Sequence, residues 1–259
     1  MSAKTALVTG STSGIGLGIA QRFAAAGMNV VLNGFGDADE IEALRQDLEK
    51  THGIKAAYLF ADLSKPEDCT KLIADAEAAL GPVDVLVNNA GIQHTDLVED
   101  FPPEKWDQVI AINMSAVFHA TRAVLPGMKQ RNWGRVINVA SAHGLVASAK
   151  KSAYVTAKHG VVGFTKVCGL EVATTHVTVN AICPGWVLTP LVQKQIDARA
   201  EANGWTIKQA EADLLGEKQP SQRFATPEQL GGLAVFLCSE DADLINGTTL
   251  SMDGAWTAQ

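Results

Sequence analysis

The sequence lacks any run of five or more basic residues, and 21 lysines and arginines face 28 aspartates and glutamates, a formal net charge of -7. This balance argues against a nucleic-acid-binding protein, because phosphate contacts need a basic face. One local exception is SAHGLVASAKKSAYVTAKHG at 141–160, which gathers three lysines, a histidine and a tyrosine within sixteen residues. A positive cluster in an acidic protein indicates a small anionic ligand.

Cysteine pairs and long apolar runs are also missing, and no leader segment is expected. The four cysteines stand far apart with no C-x-x-C, which argues against a zinc site or a disulfide framework and predicts reduced thiols. The longest apolar runs, such as LAVFLC at 233–238, fall far short of the ~20 residues that span a bilayer. The opening MSAKTALVTG runs straight into a predicted strand and leaves no room for a signal peptide. These absences predict a cytoplasmic protein with no metal and no membrane partner.

What the sequence does contain is an alternation of short β-branched runs with longer segments of 3.6-residue apolar spacing. Strands this apolar are buried on both faces, as in a parallel sheet covered by helices. Without any proline- or serine-rich linker, the alternation predicts one α/β domain over 1–259, a Rossmann fold with a doubly wound, seven-stranded parallel sheet. The predicted strands are 5–9, 29–33, 55–60, 83–88, 135–140, 177–183 and 248–252.

A long, polar, helical segment at about 190–222 interrupts this alternation after the sixth strand. In an α/β sheet, ligands bind at the carboxyl ends of the strands, and an insertion at this point lies there. The segment is therefore predicted to form a lid over the substrate. A solvated helical hairpin with no chemical role is the alternative.

The first strand is followed by a glycine-rich turn in which Gly10, Gly14 and Gly16 have the spacing G-x-x-x-G-x-G. Without side chains, the backbone can approach a pyrophosphate, whose charge then lies at the N-terminus of the next helix. Glycines alone are a weak signal, because any tight strand–helix turn favours them. Their place at the start of an alternating chain favours dinucleotide binding.

This turn resembles the T-G-x-x-x-G-x-G turn of the short-chain dehydrogenase/reductase family. Three further stretches match that family in order: NNAG at 88–91, Tyr154-x-x-x-Lys158, and PG at 184–185 followed by Thr189. The resemblance covers most of the chain and implies a nicotinamide-dependent oxidoreductase that is usually a homotetramer. The cofactor-binding residues it implies are Gly10, Thr12, Ser13, Gly14, Ile15, Gly16, Phe35, Asp62, Leu63, Asn89, Ala90, Gly91, Tyr154, Lys158, Pro184, Gly185, Val187 and Thr189.

Tyr154 and Lys158 are the predicted acid–base pair, because residues four apart share one face if 152–166 is helical. A nearby ammonium favours the phenolate and lowers a tyrosine pKa from its usual ~10. The phenolate can then take the hydroxyl proton of an alcohol while hydride leaves for the cofactor. Ser141 is predicted to hold the substrate oxygen. The resemblance adds Asn113, which in the family holds a water on a proton relay with the lysine.

The end of the second strand, NVVLNGFGD at 29–37, faces the adenosine ribose in such folds. A phosphorylated ribose needs arginine or lysine there, whereas a free 2′-hydroxyl is often bound by an acid. Neither charge is present: Ser13 precedes the second glycine, and Asn33, Gly34 and Phe35 end the strand. Phe35 against the ribose would leave no room for a phosphate. NAD is therefore the predicted cofactor.

His143 and Lys151 flank the catalytic residues, and an ammonium beside a hydrogen-bonding imidazole suits a substrate carboxylate. Two glutamines are predicted to add amide donors, and a tryptophan to form an apolar wall. Lys150 is predicted to be a solvent-facing charge. The predicted substrate-binding residues are Gln93, Ser141, His143, Lys151, Tyr154, Trp186 and Gln195.

Within the family, GIQHT, SAHGLVAS, KSAYV, AKHGVVGFTK and ICPGWV…TPLV resemble the members that oxidise a small 3-hydroxy acid. That resemblance implies (R)-3-hydroxybutyrate and NAD as reactants, with acetoacetate and NADH as products. The alternative enzyme is a reductase of 3-oxoacyl thioesters on coenzyme A or carrier protein, which would favour NADP, a basic surface and an open pocket. A cofactor-sensing binding protein would tolerate loss of Tyr154 or Lys158, and both are present. Ala255 departs from the second glycine that relatives usually have there.

Overall fold

A computed structural model describes residues 3–258 of the chain. Its seven strands form because their β-branched, apolar runs are buried on both faces of one sheet. Each strand lies where the sequence predicts one, with ends that differ by two residues at most. The strands are β1 (Thr5–Val8), β2 (Asn29–Leu32), β3 (Ala56–Tyr58), β4 (Val83–Asn88), β5 (Gly134–Val139), β6 (Val177–Pro184) and β7 (Thr249–Met252).

All neighbouring strands pair in parallel, in the order β3-β2-β1-β4-β5-β6-β7. The order reverses between β1 and β4, so the chain winds to one side of the sheet first and then to the other. Because the strands are parallel, their carboxyl ends share one edge, and a crevice opens there at the reversal. This doubly wound topology confirms the predicted fold class and brings the turns after β1, β4, β5 and β6 together.

Helices cover both faces of the sheet. Their ends follow local chemistry: the Asp37 carboxylate caps the start of α2, and Gly53, at φ +66°, ends it. Thr226 and Gln229 form a reciprocal capping box at α9. The helices are α1 (Gly14–Ala25), α2 (Ala38–His52), α3 (Pro66–Leu80), α4 (Pro103–Ile110), α5 (Ala116–Arg131), α6 (Ser152–Val172), α7 (Pro190–Asn203), α8 (Ile207–Gly216) and α9 (Pro227–Leu237).

Helices α4 and α5 run on without a break through a π-helical turn, Ala111–Ser115. The combined helix Pro103–Arg131 is the one helix in residues 3–258 that is long and apolar enough to cross a membrane, by length and composition alone. Its residues Val124 and Met128 belong to the apolar core between the sheet and α3. Part of this apolar helix is therefore buried in the core of the protein.

The segment after β6 folds as a helical hairpin of α7 and α8. Val192, Ile196 and Leu214 pack between the two helices and against Trp186 at the end of β6. Arg199 on α7 forms ion pairs with Asp213 and Glu217 on α8 and just beyond it. The hairpin is thus a small packed unit at the carboxyl edge of the sheet.

Candidate active site

The turn after β1 brings backbone, and not side chains, to the crevice. Gly10 and Gly14 have φ of +61° and +56°, and a Cβ on Gly16 would lie 2.3 Å from the Gly10 carbonyl oxygen. Ser13 precedes α1 without a side-chain cap, so the first N–H groups of the helix are left for an outside acceptor. This geometry fits the pyrophosphate of a dinucleotide.

The segment after β4 locks this turn in place. The Asn89 amide donates to the carbonyl oxygens of Thr9 (2.8 Å) and Gly10 (3.0 Å), and Thr9 Oγ1 accepts from the N–H groups of Asn89 and Ala90. A Cβ on Gly10 would lie 2.9 Å from the Ala90 Cα. The predicted cofactor residues of the first and fourth strand ends are therefore in direct contact.

The end of β2 presents an aromatic side chain and no cation. Asn33 is buried and turned toward the glycine turn, where its Oδ1 accepts from the Gly10 N–H. Gly34, at φ +156°, lies against Thr12, whose hydroxyl donates to the Phe35 carbonyl at 2.8 Å. Phe35 is 69% exposed, and its ring packs edge-on against Phe60 at 5.6 Å between centroids. Residues 33–36 at the end of β2 therefore offer an exposed ring and no charged side chain.

Asp62 and Leu63 follow β3 at the same edge of the sheet. The Asp62 carboxylate accepts from the Ser64 hydroxyl (2.7 Å) and N–H (3.1 Å), and Lys65 lies 3.5 Å away. The hydrogen bonds from Ser64 hold the pKa of the Asp62 carboxyl below its usual range. Leu63 is buried.

Tyr154 and Lys158 lie on one face of α6, as their spacing predicts. Lys158 is 4% exposed, and its Nζ donates to the Val139 carbonyl at 2.8 Å and lies 5.6 Å from the Tyr154 ring centroid. Ser141, which follows β5, lies close enough to Tyr154 to act on the pKa of its phenol. The structure thus brings together the predicted serine, tyrosine and lysine from two elements.

Burial dominates the protonation of this pair. It lowers the pKa of Lys158 to about 8, because the ammonium is removed from water. Burial raises the pKa of Tyr154, and the nearby Ser141 side chain opposes the rise. The pKa of the tyrosine is therefore raised in this structure, where the sequence predicted lowering by the lysine. The Lys158 ammonium donates to the Val139 carbonyl, and burial of the phenol is the largest cause of the shift.

Asn113 lies in the π-helical turn between α4 and α5 and is fully buried. Its Oδ1 accepts from the Ile92 N–H at 2.9 Å, and its Nδ2 donates to the Ile92 carbonyl at 2.8 Å. The amide thus holds the chain just after Gly91, whose Cβ would lie 3.4 Å from it. π turns are rare and concentrate at functional sites.

His143 and Lys151 border the space beside Tyr154. The His143 ring packs edge-on against Tyr154 at 6.0 Å, and its Nε2 lies 2.9 Å from the Ser148 hydroxyl. Lys151 precedes α6, and its Nζ lies 5.7 Å from the Trp186 ring. Burial, followed by the charges of Lys151 and Lys218, lowers the pKa of His143 to about 4. His143 is therefore neutral near pH 7, and the positive charge here comes from lysine.

The two predicted amide donors lie at exposed positions. Gln93 and Gln195 are exposed, and neither side chain has a hydrogen-bond partner within residues 3–258. Lys150 is exposed, as predicted, and its carbonyl accepts from the Asp96 N–H at 2.9 Å. That bond and the bridge between Asp96 and Lys151 hold the loop containing Gln93 beside the start of α6.

The turn after β6 adds the last predicted cofactor residues. Pro184 ends the strand, and Thr189 caps α7 by accepting from the Val192 N–H. A Cβ on Gly14 would lie 3.5 Å from the Thr189 methyl, so this turn reaches the glycine turn across the crevice. Ile15 is half-buried in α1, and Val187 is buried.

Trp256 was missed by reasoning from the sequence. It follows β7, is 6% exposed, packs edge-on against His143 at 5.0 Å and stacks on Trp186 at 6.3 Å. A tryptophan directly after the last strand was the available signal, because that strand also ends at the carboxyl edge. Two stacked indoles therefore lie beside His143, where the sequence predicted one tryptophan. Within residues 3–258 there is no cluster of three or more metal-ligating side chains.

Comparison with known proteins agrees with this architecture. A family model described as short chain dehydrogenase matches residues 4–200. The chain is 60% identical to D-beta-hydroxybutyrate dehydrogenase of Cupriavidus necator over the full length of both. It is 51% identical to the protein of that name from Rhizobium meliloti, with 99% of each chain covered. The structure of L-sorbose reductase from Gluconobacter frateurii, complexed with NADPH and L-sorbose, has a TM-score of 0.94 at 31% identity, covering 100% of this chain and 98% of that one.

The chain therefore belongs to the short-chain dehydrogenase family and is an oxidoreductase. This confirms the resemblance read from the glycine turn, NNAG and the Tyr154–Lys158 spacing.

Proposed function

We propose that the protein catalyses the reversible, NAD-dependent oxidation of (R)-3-hydroxybutyrate to acetoacetate. The observation that supports the proposal is that neutral His143 packs against Tyr154 at 6.0 Å, while the charge of Lys151, whose Nζ lies 5.7 Å from the Trp186 ring, acts on His143. A cation next to the acid–base tyrosine selects an alcohol that also bears a carboxylate. The names of the relatives in Cupriavidus and Rhizobium support the same substrate.

In this proposal, Ser141 and Tyr154 hold the hydroxyl oxygen of the substrate. Tyr154, as phenolate, takes the hydroxyl proton, the C3–H bond breaks with its electron pair leaving as hydride, and the C3=O bond forms. Lys158 stabilises the phenolate with its charge, and Asn113 fixes the chain beside Gly91. A bound nicotinamide would supply the hydride acceptor. In the reverse direction, neutral Tyr154 donates its proton to the keto oxygen.

Lys151 binds the substrate carboxylate in this scheme, and His143 donates or accepts a hydrogen bond beside it. Lys151 is partly buried, and its pKa is lowered by that burial, so an anionic partner would restore favourable interactions to its charge. Gln93 and Gln195 are proposed to reach the same carboxylate when α7 and α8 close as a lid. The short chain of the substrate would lie against Trp186 and Trp256.

NAD is proposed over NADP because the ribose side of the crevice offers Phe35 and no cation. A 2′-phosphate placed there would lose water without gaining a charged partner. The glycine turn, Asn89 to Gly91 and the turn from Pro184 to Thr189 are the proposed remaining contacts. We also propose that the chain is a single dinucleotide-binding and catalytic domain, and that it acts in the cytoplasm as a homotetramer.

The competing activity is reduction of 3-oxoacyl thioesters on coenzyme A or carrier protein. Such a substrate has no free carboxylate near the reacting carbon, so Lys151 would have no partner. The test measures NADH formation with NAD or NADP and each enantiomer of 3-hydroxybutyrate, lactate and a 3-hydroxyacyl thioester. We expect the highest kcat/KM with NAD and the R enantiomer. A higher kcat/KM for the thioester, or equal use of NADP, would refute the corresponding part of the proposal.

A further inference from the structure

Gln219 lies in the loop after α8 with its side chain only 2% exposed. Its Oε1 accepts from the Trp186 N–H at 2.8 Å, and its Nε2 donates to the Arg223 carbonyl. Buried amides are costly unless they are hydrogen-bonded, and here the donor and the acceptor both have backbone partners. The side chain therefore ties the lid segment to the turn after β6.

The same amide is packed closely against two turns. A Cβ on Gly185 would lie 2.5 Å from Gln219 Oε1, and a Cβ on Gly254 would lie 2.7 Å from Gln219 Cγ. The Ser221 N–H also donates to the Gly254 carbonyl at 3.0 Å. Gln219 thus fills the junction between the lid, the turn after β6 and the turn after β7.

These two turns carry the two indoles of the pocket. Trp186 directly follows Gly185, and Trp256 is two residues beyond Gly254. The rings stack at 6.3 Å with 28° between their planes, Lys151 lies 5.7 Å from the first, and His143 lies 5.0 Å from the second. A side chain that fixes both turns therefore fixes the walls against which the proposed carboxylate ligands lie.

We propose that Gln219 is a positioning residue that sets the two-tryptophan wall of the substrate pocket. The expected effect of Gln219 on KM for the substrate rests on the proposed function. The expected effect of Gln219 on exchange of the Trp186 amide does not. The cofactor side of the same turn has separate ties: the Leu188 N–H donates to the Ala225 carbonyl at 2.9 Å, and Thr189 caps α7. Loss of Gln219 therefore affects substrate binding more than cofactor binding.

The test compares Gln219→Met, which removes both hydrogen bonds at similar volume, with the control Gln193→Met on α7, whose side chain donates to Asp197. In Gln219→Met, we expect the Trp186 amide to exchange with deuterium at least about tenfold faster, since it loses its acceptor. The Leu188 amide, bonded to Ala225, should exchange at the wild-type rate and serves as the internal reference. Gln193→Met should leave the exchange rates of both amides unchanged.

Kinetically, Gln219→Met should raise KM for 3-hydroxybutyrate about tenfold, while the Kd for NADH changes less than about twofold. Gln219→Glu, which burial favours in its protonated form, keeps an acceptor oxygen for Trp186 and an O–H donor for the Arg223 carbonyl. It should recover most of the amide protection, which covers the case in which the methionine variant folds poorly. Equal losses for substrate and cofactor, or unchanged Trp186 exchange, would overturn the proposal. Wild-type protein that does not oxidise hydroxybutyrate would refute the proposed function, while the exchange comparison still decides the role of Gln219.

Discussion

The Lys158 ammonium donates to the carbonyl oxygen of Val139 at 2.8 Å and lies 5.6 Å from the ring centroid of Tyr154. The lysine therefore bridges the end of β5 and the tyrosine on its own helix. The ammonium makes its hydrogen bond to a backbone carbonyl, and it makes none to the phenol oxygen. Because burial raises the pKa of Tyr154, formation of the phenolate needs a further stabilising charge or hydrogen bond.

The pH dependence of the two reaction directions should differ in sign. With the pKa of Tyr154 raised, the phenol is protonated near neutral pH and suits proton donation to a keto oxygen. Reduction of acetoacetate should therefore be favoured at low pH, and kcat/KM for oxidation should rise with pH as the phenolate forms. Initial rates in both directions from pH 6 to pH 9 check this. An oxidation rate that falls steadily over that range would contradict the assignment of Tyr154 as the base.

Replacing Tyr154 by phenylalanine should lower kcat by at least about 100-fold, because proton transfer in the transition state contributes that much. NADH binding, measured by fluorescence titration, should remain. The control is Tyr58→Phe, which removes a hydroxyl that donates to the Gly34 carbonyl at 2.8 Å, away from Ser141. That variant should keep near-wild-type kcat. Activity of Tyr154→Phe within a few-fold of wild type would end the acid–base assignment.

Adjacent lysines provide a matched pair for testing the carboxylate site. Lys151→Ala should raise KM for hydroxybutyrate roughly 10–150-fold, since hydrogen bonds to charged groups contribute about 1.5–3 kcal/mol. Lys150→Ala should leave KM unchanged, because the Lys150 side chain is exposed and only its backbone carbonyl is bonded. Steady-state kinetics at saturating NAD measure both. Equal effects of the two substitutions would place the carboxylate elsewhere.

Acid should destabilise the protein through His143. Burial, with the nearby Lys151, Lys218 and His159, lowers the pKa of this histidine from 6.5 to about 4. Between those values the unfolded chain binds more protons than the folded one, so the free energy of unfolding falls as pH drops from about 6.5 to about 4. Urea unfolding at intervals across that window measures the slope. His143→Asn removes this titration and should flatten it; an unchanged slope would assign the effect to other groups.

Ala255 has φ of +71°, in the left-handed region that costs alanine energy but not glycine. Ala255→Gly should therefore raise the free energy of unfolding by about 0.5–1 kcal/mol, after subtracting the greater entropy of glycine in the unfolded chain. Ala26→Gly, at an exposed residue with φ of -85°, should lower it. Thermal unfolding of the two variants compares them. If both substitutions changed the free energy of unfolding in the same direction, the left-handed conformation of Ala255 would not be a cost to stability.

The glycine turn and the Tyr154–Lys158 pair were predictable because both depend on local geometry. A strand–turn–helix needs glycine where φ is positive, and residues four apart on a helix share a face. The alternation of apolar periods likewise determined the parallel sheet. The sequence could not predict the π turn that carries Asn113, because helix register there depends on contacts with Ile92. Nor could it predict the inward rotation of Asn33 toward Gly10.

By itself, then, the sequence determined the fold class, the turn for the dinucleotide and the spacing of the acid–base pair. Only the tertiary structure decided how the substrate side is built. His143, Trp186 and Trp256 come from three different strand ends, and the parallel sheet brings them to one edge. Burial within that assembly lowers the pKa of His143 and raises the pKa of Tyr154. Both shifts depend on how much water the packed neighbours remove, which residue type alone does not determine.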